Sequence, residues 1–212
     1  MLILGINTVA DACEAALERD GVIVADYAEP MNQGHDARLA PVVDTLMQRA
    51  GAAFTDLTRV AVVVGPGSFT GVRVGVAFAR GLGLSLDIPV VGVTSLEALD
   101  QLPQTGRALG VLAAKRRPPE RTWWAQTLDQ GRGAGEAFEA SAADVANLAA
   151  ETGVICGQVA SLPENLPGQH VAADPRASAA ALFAARLTGD LPAARPVYVR
   201  EPDATPMRPV GG

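Results

Sequence analysis

The stretch from Val60 to Leu86 constrains the chain more than any other. Val60-Ala-Val-Val-Val64 is an unbroken apolar run, which suits a strand covered on both faces. Gly65-Pro-Gly67 interrupts it, and residues 71–86 continue as a helix whose only charges are Arg73 and Arg80. A helix after a buried strand is the crossover unit of a parallel sheet. Gly71, Gly75, Ala79 and Gly83 recur every four residues as a small-residue stripe, while Val72, Val74, Val76, Phe78, Leu82, Leu84 and Leu86 take most other directions. A helix that is apolar almost all round must be covered on more than one side. Its own sheet covers one side, and the small stripe permits close approach of a second helix. That cover is either the neighbouring helix at 38–50 alone, or this pair completed by a partner's pair in a four-helix packing.

Elsewhere the pattern is equally regular. Leu2 to Asn7, Cys13 to Glu18 and Val22 to Tyr27 read as strands, the last two joined by the tight-turn sequence Arg19-Asp-Gly21. Leu39, Val42, Val43, Leu46, Met47 and Ala50 fall at helical spacing before the stop at Gly51, with Pro41 tolerated only near the helix start. Ile88 to Val93 is a further strand, and Thr94-Ser-Leu-Glu97 is a capping box that predicts a short helix to about Leu102. The order βββαβαβα is the ribonuclease-H-like layout of actin-like lobes. The expected fold class is therefore α/β, actin-like, with two such lobes and the second reduced. Pro103 to Gly106 marks the boundary between a lobe at 1–102 and another at 103–212. The second half offers strands near Ala108 to Ala113 and Thr122 to Leu128, a glycine-rich link at 131–135, a capped helix from Ser141 and a strand at Gly153 to Cys156. Asp174-Pro175 is expected to open a helix carrying Leu182, Phe183 and Leu187, and Pro196-Val-Tyr-Val-Arg200 is the last strand-like piece before a mobile tail.

Charge and composition narrow the functional classes. A chain of 212 residues buries roughly 70% of its unfolded surface, enough for a stable core. The net charge of −6 repels phosphate backbones, so any RNA contact must be local or shared with a partner. Neither a membrane-spanning run nor a basic leader is present, which predicts a cytoplasmic protein with no membrane partner. The two cysteines, Cys13 and Cys156, allow a disulfide on count, but in a reducing compartment free buried thiols are the favoured reading.

Motifs for catalysis are thin. A P-loop needs Lys-Ser/Thr after its last glycine, but Val72-Arg73 follows Gly71. A dinucleotide fingerprint fails as well, because its third glycine is displaced to Gly71 and the next strand ends in Thr94 rather than an acid. Gly67, Ser68 and Thr70 could still meet an anion or nucleotide at a helix N-terminus, or Ser68 or Thr70 could simply cap the helix. The two histidines, His35 and His170, form no metal-ligand spacing, and Ser68 has no evident His/Asp pair. Asn7 stands where actin-like ATPases place an aspartate. Lys115-Arg-Arg117 with Arg121, ahead of Trp123-Trp124, is either an RNA contact or a solvated hairpin tip.

Ile3-Leu-Gly-Ile-Asn-Thr8 with Cys13, His35 followed by Leu39 and Pro41, and above all Gly65-Pro-Gly-Ser-Phe-Thr-Gly-Val-Arg-Val-Gly75 resemble the TsaB (YeaZ) family. Pro89-Val-Val-Gly-Val-Thr-Ser-Leu96 and Pro196-Val-Tyr-Val-Arg200 fit too; the likeness is dense over residues 1–100 and sparse after. The resemblance implies a non-catalytic subunit for threonylcarbamoyladenosine in ANN-decoding tRNAs, at the adenosine beside the anticodon. It pairs with a TsaD-like catalytic subunit and a TsaE-like ATPase, and can dimerise through the same helices. tRNA is met only within that complex. No cofactor is implied for this subunit alone, ATP being used by the wider complex. The implied partner-binding residues are Leu39, Val42, Val43, Leu46, Gly71, Val72, Gly75, Val76, Ala79, Leu82 and Gly83. Asn7 departs from the family's usual aspartate, and Pro118-Pro-Glu-Arg121 departs from its second-lobe pattern. The rival reading is an enzyme: an actin-fold small-molecule kinase or a glycopeptidase-like hydrolase.

Overall fold

The computed structural model describes residues 1–114 and 121–199. Strands β1 (Leu2–Asn7), β2 (Ala12–Arg19), β3 (Val22–Pro30), β4 (Arg59–Val63) and β5 (Val90–Val93) form one sheet in the order β3-β2-β1-β4-β5. The first three pair antiparallel, and β4 and β5 join in parallel. Asp20 and Gly21, with φ of 52° and 87°, make the left-handed turn that their sequence favours between β2 and β3. Two helices, α1 (His35–Arg49) and α2 (Phe69–Leu86), are the crossovers. The second sheet contains β6 (Arg107–Ala114), β7 (Thr122–Asp129), β8 (Arg132–Gly133), β9 (Phe138–Ala140), β10 (Val154–Gly157) and β11 (Gln169–Ala172), in the order β11-β10-β6-β7-β8 with β9 also on β7. Between β9 and β10 runs α3 (Ala142–Thr152), opened by the Ser141/Asp144 capping box. This is the α/β, actin-like, two-lobed fold expected from the sequence. Among the described residues no helix is long and apolar enough to cross a membrane.

Strand pairing decides which side chains share a face, because paired residues point the same way and successive ones alternate. Leu4, Ile6, Leu17, Val60 and Val62 line the face under α1 and α2. Ile3, Gly5, Asn7, Glu14, Glu18 and Arg59 line the opposite one. The last helix, α4 (Ala177–Ala185), covers that opposite face even though it follows the second sheet in sequence. The division at 102 and 103 is thus crossed again: Ala180, Ala181, Phe183, Ala184 and Leu187 belong to the first core. Glu14 accepts the N–H of Ala177 at 3.1 Å at the start of α4, and Arg59 donates to the carbonyls of Ala184 and Leu187 at its end. An acid at the N-terminus and a base at the C-terminus both complement the helix dipole.

Local expectations needed correcting in three places. The Thr94/Glu97 box forms, with Thr94 N–H to Glu97 Oε2 at 3.1 Å and Glu97 N–H to Thr94 Oγ1 at 3.1 Å, but it closes a turn rather than a helix. The backbone then leaves the helical path to pair with residues 174–176, while the other oxygen of Glu97 accepts the N–H of Gly133 in the second sheet. Asp174 does not cap α4; the N-cap is Arg176, and the capping carboxylate comes from Glu14 across the sheet. Pro196 to Val199 forms no strand; its backbone is held by Val197 N–H donating to Val64 O at 2.8 Å. Arg200 and the tail after it lie outside the described residues.

The small stripe of α2 faces its own sheet. A Cβ at Gly71 would overlap the Thr8 carbonyl oxygen, one at Gly75 would sit 2.5 Å from Thr8 Oγ1, and one at Gly83 would strike Val90. Gly81, by contrast, is exposed with open space around it. Gly71→Ala should therefore cost about 1–3 kcal/mol through overpacking, and Gly81→Ala should stabilise by about 0.5–1 kcal/mol. Urea unfolding of the two variants checks both signs.

Cys13 and Cys156 are buried and unpaired. Burial pushes each thiol up to about 11, with Glu29 adding to the effect at Cys13. The folded state then holds these protons more tightly than the unfolded chain, so this contribution is complete below the ordinary thiol range and is lost as pH rises towards 11. Unfolding free energy should fall over that window, and the fall should be smaller in a Cys13→Ala, Cys156→Ala double variant.

Candidate functional site

A cavity of about 500 Å³ opens between the lobes. Val9, Ala10, Pro66, Phe69, Leu112 and Trp124 give it apolar walls, while Asp11, Glu14, Ser68, Gln158, Asp174 and Arg176 supply polar groups. Three carboxylates therefore face one guanidinium, a balance that disfavours a phosphate. Gly67 and Ser68 reach the cavity because the turn packs tightly on Val9, whose carbonyl accepts the Ser68 N–H at 3.0 Å. Ser68 Oγ accepts the N–H of Gly71 at 3.2 Å and is the N-cap of α2. Thr70 is exposed on the first turn, outside the cavity lining.

Most of the polar groups here already serve the fold. Asn7 is fully buried; its Nδ2 donates to Glu14 Oε2 at 3.1 Å and to Pro175 O at 2.8 Å, and its Oδ1 accepts the Val9 N–H at 3.1 Å. Glu14 Oε1 accepts from Arg176 Nη1 at 2.8 Å, an ion pair that holds the Arg176 guanidinium above its usual range despite partial burial. Nothing in the sequence pattern pairs residues so far apart. His35 is buried at the start of α1, with Nε2 lacking a hydrogen-bond partner, and His170 is exposed on β11. Among the described residues, no three of His, Cys, Asp and Glu cluster to hold a metal. Lys115 to Arg117 lie outside the described residues; Trp123 is buried, donating to Ser161 Oγ at 3.1 Å, while Trp124 is half-buried on the cavity wall.

The other candidate surface is the outer face of the helix pair, and here the side chains differ from expectation. Leu39, Val42, Val43, Leu46, Gly71, Val72, Gly75, Val76, Ala79 and Gly83 are all buried within the chain, and Leu82 is half-buried. Their apolar or small character seats α1 and α2 on the sheet and on each other, so these residues are not a free contact surface. The outward stripe of α2 is Arg73, Ala77, Arg80, Gly81 and Leu84, with Val74 and Phe78 half-buried beside it. Leu84 is 86% exposed, a large aliphatic side chain in water. On α1 the outward residues are Ala37, Ala40, Pro41, Asp44 and Gln48. One signal for the stripe was visible: Arg73 and Arg80 mark the only wet edge of the helix. Arg73 lies 3.7 Å from the centre of the Phe69 ring and donates from Nε to the Tyr198 hydroxyl at 3.1 Å, tying the end of the described chain across the first turns of α2.

Known proteins resemble this chain at several levels. A family model described as TsaD, tRNA N6-adenosine threonylcarbamoyltransferase, matches residues 25–112. The tRNA threonylcarbamoyladenosine biosynthesis protein TsaB of Escherichia coli is 37% identical over 127 residues, 59% of this chain and 54% of that one. The chain spans about half the length of the named TsaB relatives it matches. An uncharacterised protein of Mycobacterium tuberculosis is 37% identical over 211 residues, covering 97% of this chain and 94% of that one. The solved structure of YeaZ from Pseudomonas aeruginosa superposes with a TM-score of 0.68 at 28% identity, covering 93% of this chain and 99% of that one. The fold, the glycine-rich turn seated on Val9 and these likenesses agree: the chain belongs to the TsaB/YeaZ family.

Proposed function

We propose that this chain is a non-catalytic subunit required for threonylcarbamoyladenosine formation at the adenosine beside the anticodon. It binds and activates a TsaD-like transferase subunit, in company with a TsaE-like ATPase. The observation that carries this reading is the outward face of α1 and α2. Ala77 and Gly81 let another helix approach closely, Leu84 is an anchor in search of a pocket, and the flanking Arg73 and Arg80 set a polar rim. The family membership points the same way. The buried residues Leu39, Val42, Val43, Leu46, Gly71, Val72, Gly75, Val76, Ala79 and Gly83 act indirectly, by fixing how the outer stripe is presented.

Two further features support a scaffold over an enzyme. Ser68 is engaged as a helix cap, and Asn7 and Glu14 are spent on internal hydrogen bonds. With a net charge of −6 the chain meets tRNA only as part of the complex, where a partner supplies the basic surface. ATP is consumed by the wider assembly and not by this subunit. Without its partner the same helix face pairs two copies of the chain.

Placing arginine at the centre of the outer stripe should separate partner binding from folding. Ala77→Arg is expected to weaken co-purification with the TsaD-like subunit about tenfold or more while leaving the far-ultraviolet circular dichroism unchanged. A folded variant that still co-elutes at wild-type stoichiometry would place the interface elsewhere. Ser68→Ala should cost only about 0.5–1 kcal/mol of unfolding free energy as a lost cap, and tRNA modification by the reconstituted complex should persist. Loss of modification with an intact, assembled complex would favour the enzyme reading.

A further inference from the structure

The chain passes between the lobes twice, outward after β5 and back after β11, and the two passes run side by side. Asp100 N–H donates to Asp174 O at 3.1 Å, Arg176 N–H donates to Ala98 O at 2.9 Å, and Leu99 and Pro175 pair as an antiparallel bridge. The Asp174 N–H also donates to Asp100 Oδ1 at 3.2 Å. Any change in the angle between the lobes must be absorbed by these two passes and by the loop at 101–106 that leads from the first of them into β6. They are the hinge.

Three side chains bolt this hinge to the first sheet. Asn7 holds the carbonyl of Pro175 at 2.8 Å. Glu14, whose side chain is only 6% exposed, accepts from Asn7, from Arg176 Nη1 and from the N–H of Ala177, so it grips both the returning strand and the first turn of α4. Arg176 is the one member that reaches both passes. Its Nη1 meets Glu14, its Nε lies 3.8 Å from Asp100 and its Nη2 lies 3.9 Å from Asp174. The chemistry is directional: Asn7 must be an amide, because the groups it faces at Glu14 and Pro175 are both acceptors.

The geometry points to a hinge lock: Asn7, Glu14 and Arg176 fix the angle between the lobes and with it the width of the interlobe cavity. Opening the lobes would break the Arg176 bridge between passes and leave a buried carboxylate short of a donor, so the lock opens only as a unit. The cavity keeps one width, and motion along the hinge is rare compared with motion of the surface turns.

Trp124 reports on this directly, since it is half-buried on the cavity wall whereas Trp123 is buried. Arg176→Ala removes the bridging guanidinium, which is 43% exposed, and leaves the hinge backbone in place. Acrylamide quenching of tryptophan fluorescence in the full chain should rise roughly twofold in this variant, with the circular dichroism of the native fold retained. A folded variant with wild-type quenching overturns the lock. The unaltered protein gives a second test by hydrogen exchange. The N–H groups of Asp100, Arg176 and Ala177 should exchange roughly a hundredfold or more slower than exposed turn amides; exchange at turn rates overturns the proposal even if Arg176→Ala fails to fold.

Discussion

The placement of α2 depends on how closely it sits against Thr8 at the end of β1. Thr8 Oγ1 donates to Gly71 O at 2.7 Å, and neither Gly71 nor Gly75 could carry a Cβ without collision. Backbone approach this close fixes the roll of the helix about its axis. Once the glycine side faces inward, Arg73, Ala77, Arg80 and Leu84 can only face outward, because they lie on the opposite side of the same turns. The interior packing thus determines which surface of α2 remains exposed. It also seats the Gly67-Ser68 turn on Val9 and brings it to the rim of the cavity.

On the other face of the sheet the determining interactions are ionic. Burying an unpaired carboxylate costs several kcal/mol, yet Glu14 is almost completely enclosed. Its three donors explain why it is tolerated, and one of them is the first amide of α4. Arg59 does the complementary task at the other end of that helix. A nine-residue helix rich in alanine has little intrinsic stability in isolation, so packing and these two end contacts must hold it. Glu14, a natural candidate for binding a ligand between the lobes, is consequently tied up in attaching α4.

How much of this was legible in the sequence follows the range of each interaction. Local signals read well. The Asp20-Gly21 hairpin, the Ser141 capping box and the helical spacing of Leu39, Val42, Val43 and Leu46 all depend on neighbours within a turn or two. The stripe of Gly71, Gly75, Ala79 and Gly83 was visible as a site of close approach, but sequence gives no sign of which surface does the approaching; it proved to be the chain's own strands. The outer stripe was legible only through Arg73 and Arg80, since Ala77 and Gly81 carry no signal of exposure. Glu14 and Arg176 are 162 positions apart, and no local pattern connects them. The failed helix at Thr94 has the same cause: its capping box is correct, but the Asp100 N–H donates to Asp174 O and Leu99 bridges Pro175, so the backbone pairs with a distant segment instead of continuing the helix.

These constraints bear on the proposal that the chain serves as a scaffold. A catalytic cleft needs groups held in position yet free to meet a substrate, whereas here Asn7, Glu14 and Ser68 are all bonded within the chain. Asn7 and Glu14 are buried and already bonded from several sides, and Ser68 Oγ accepts the cap bond of α2. The outer face of α1 and α2 has the reverse character: its residues are exposed, make few bonds and include an 86% exposed leucine. An exposed apolar anchor flanked by small residues gains most of its burial energy only when another surface covers it. Under the proposed function, stability and binding are divided between the two sides of α2: the inner side uses glycine to hold the lobe together, and the outer side presents alanine, glycine and leucine as the surface a partner would cover.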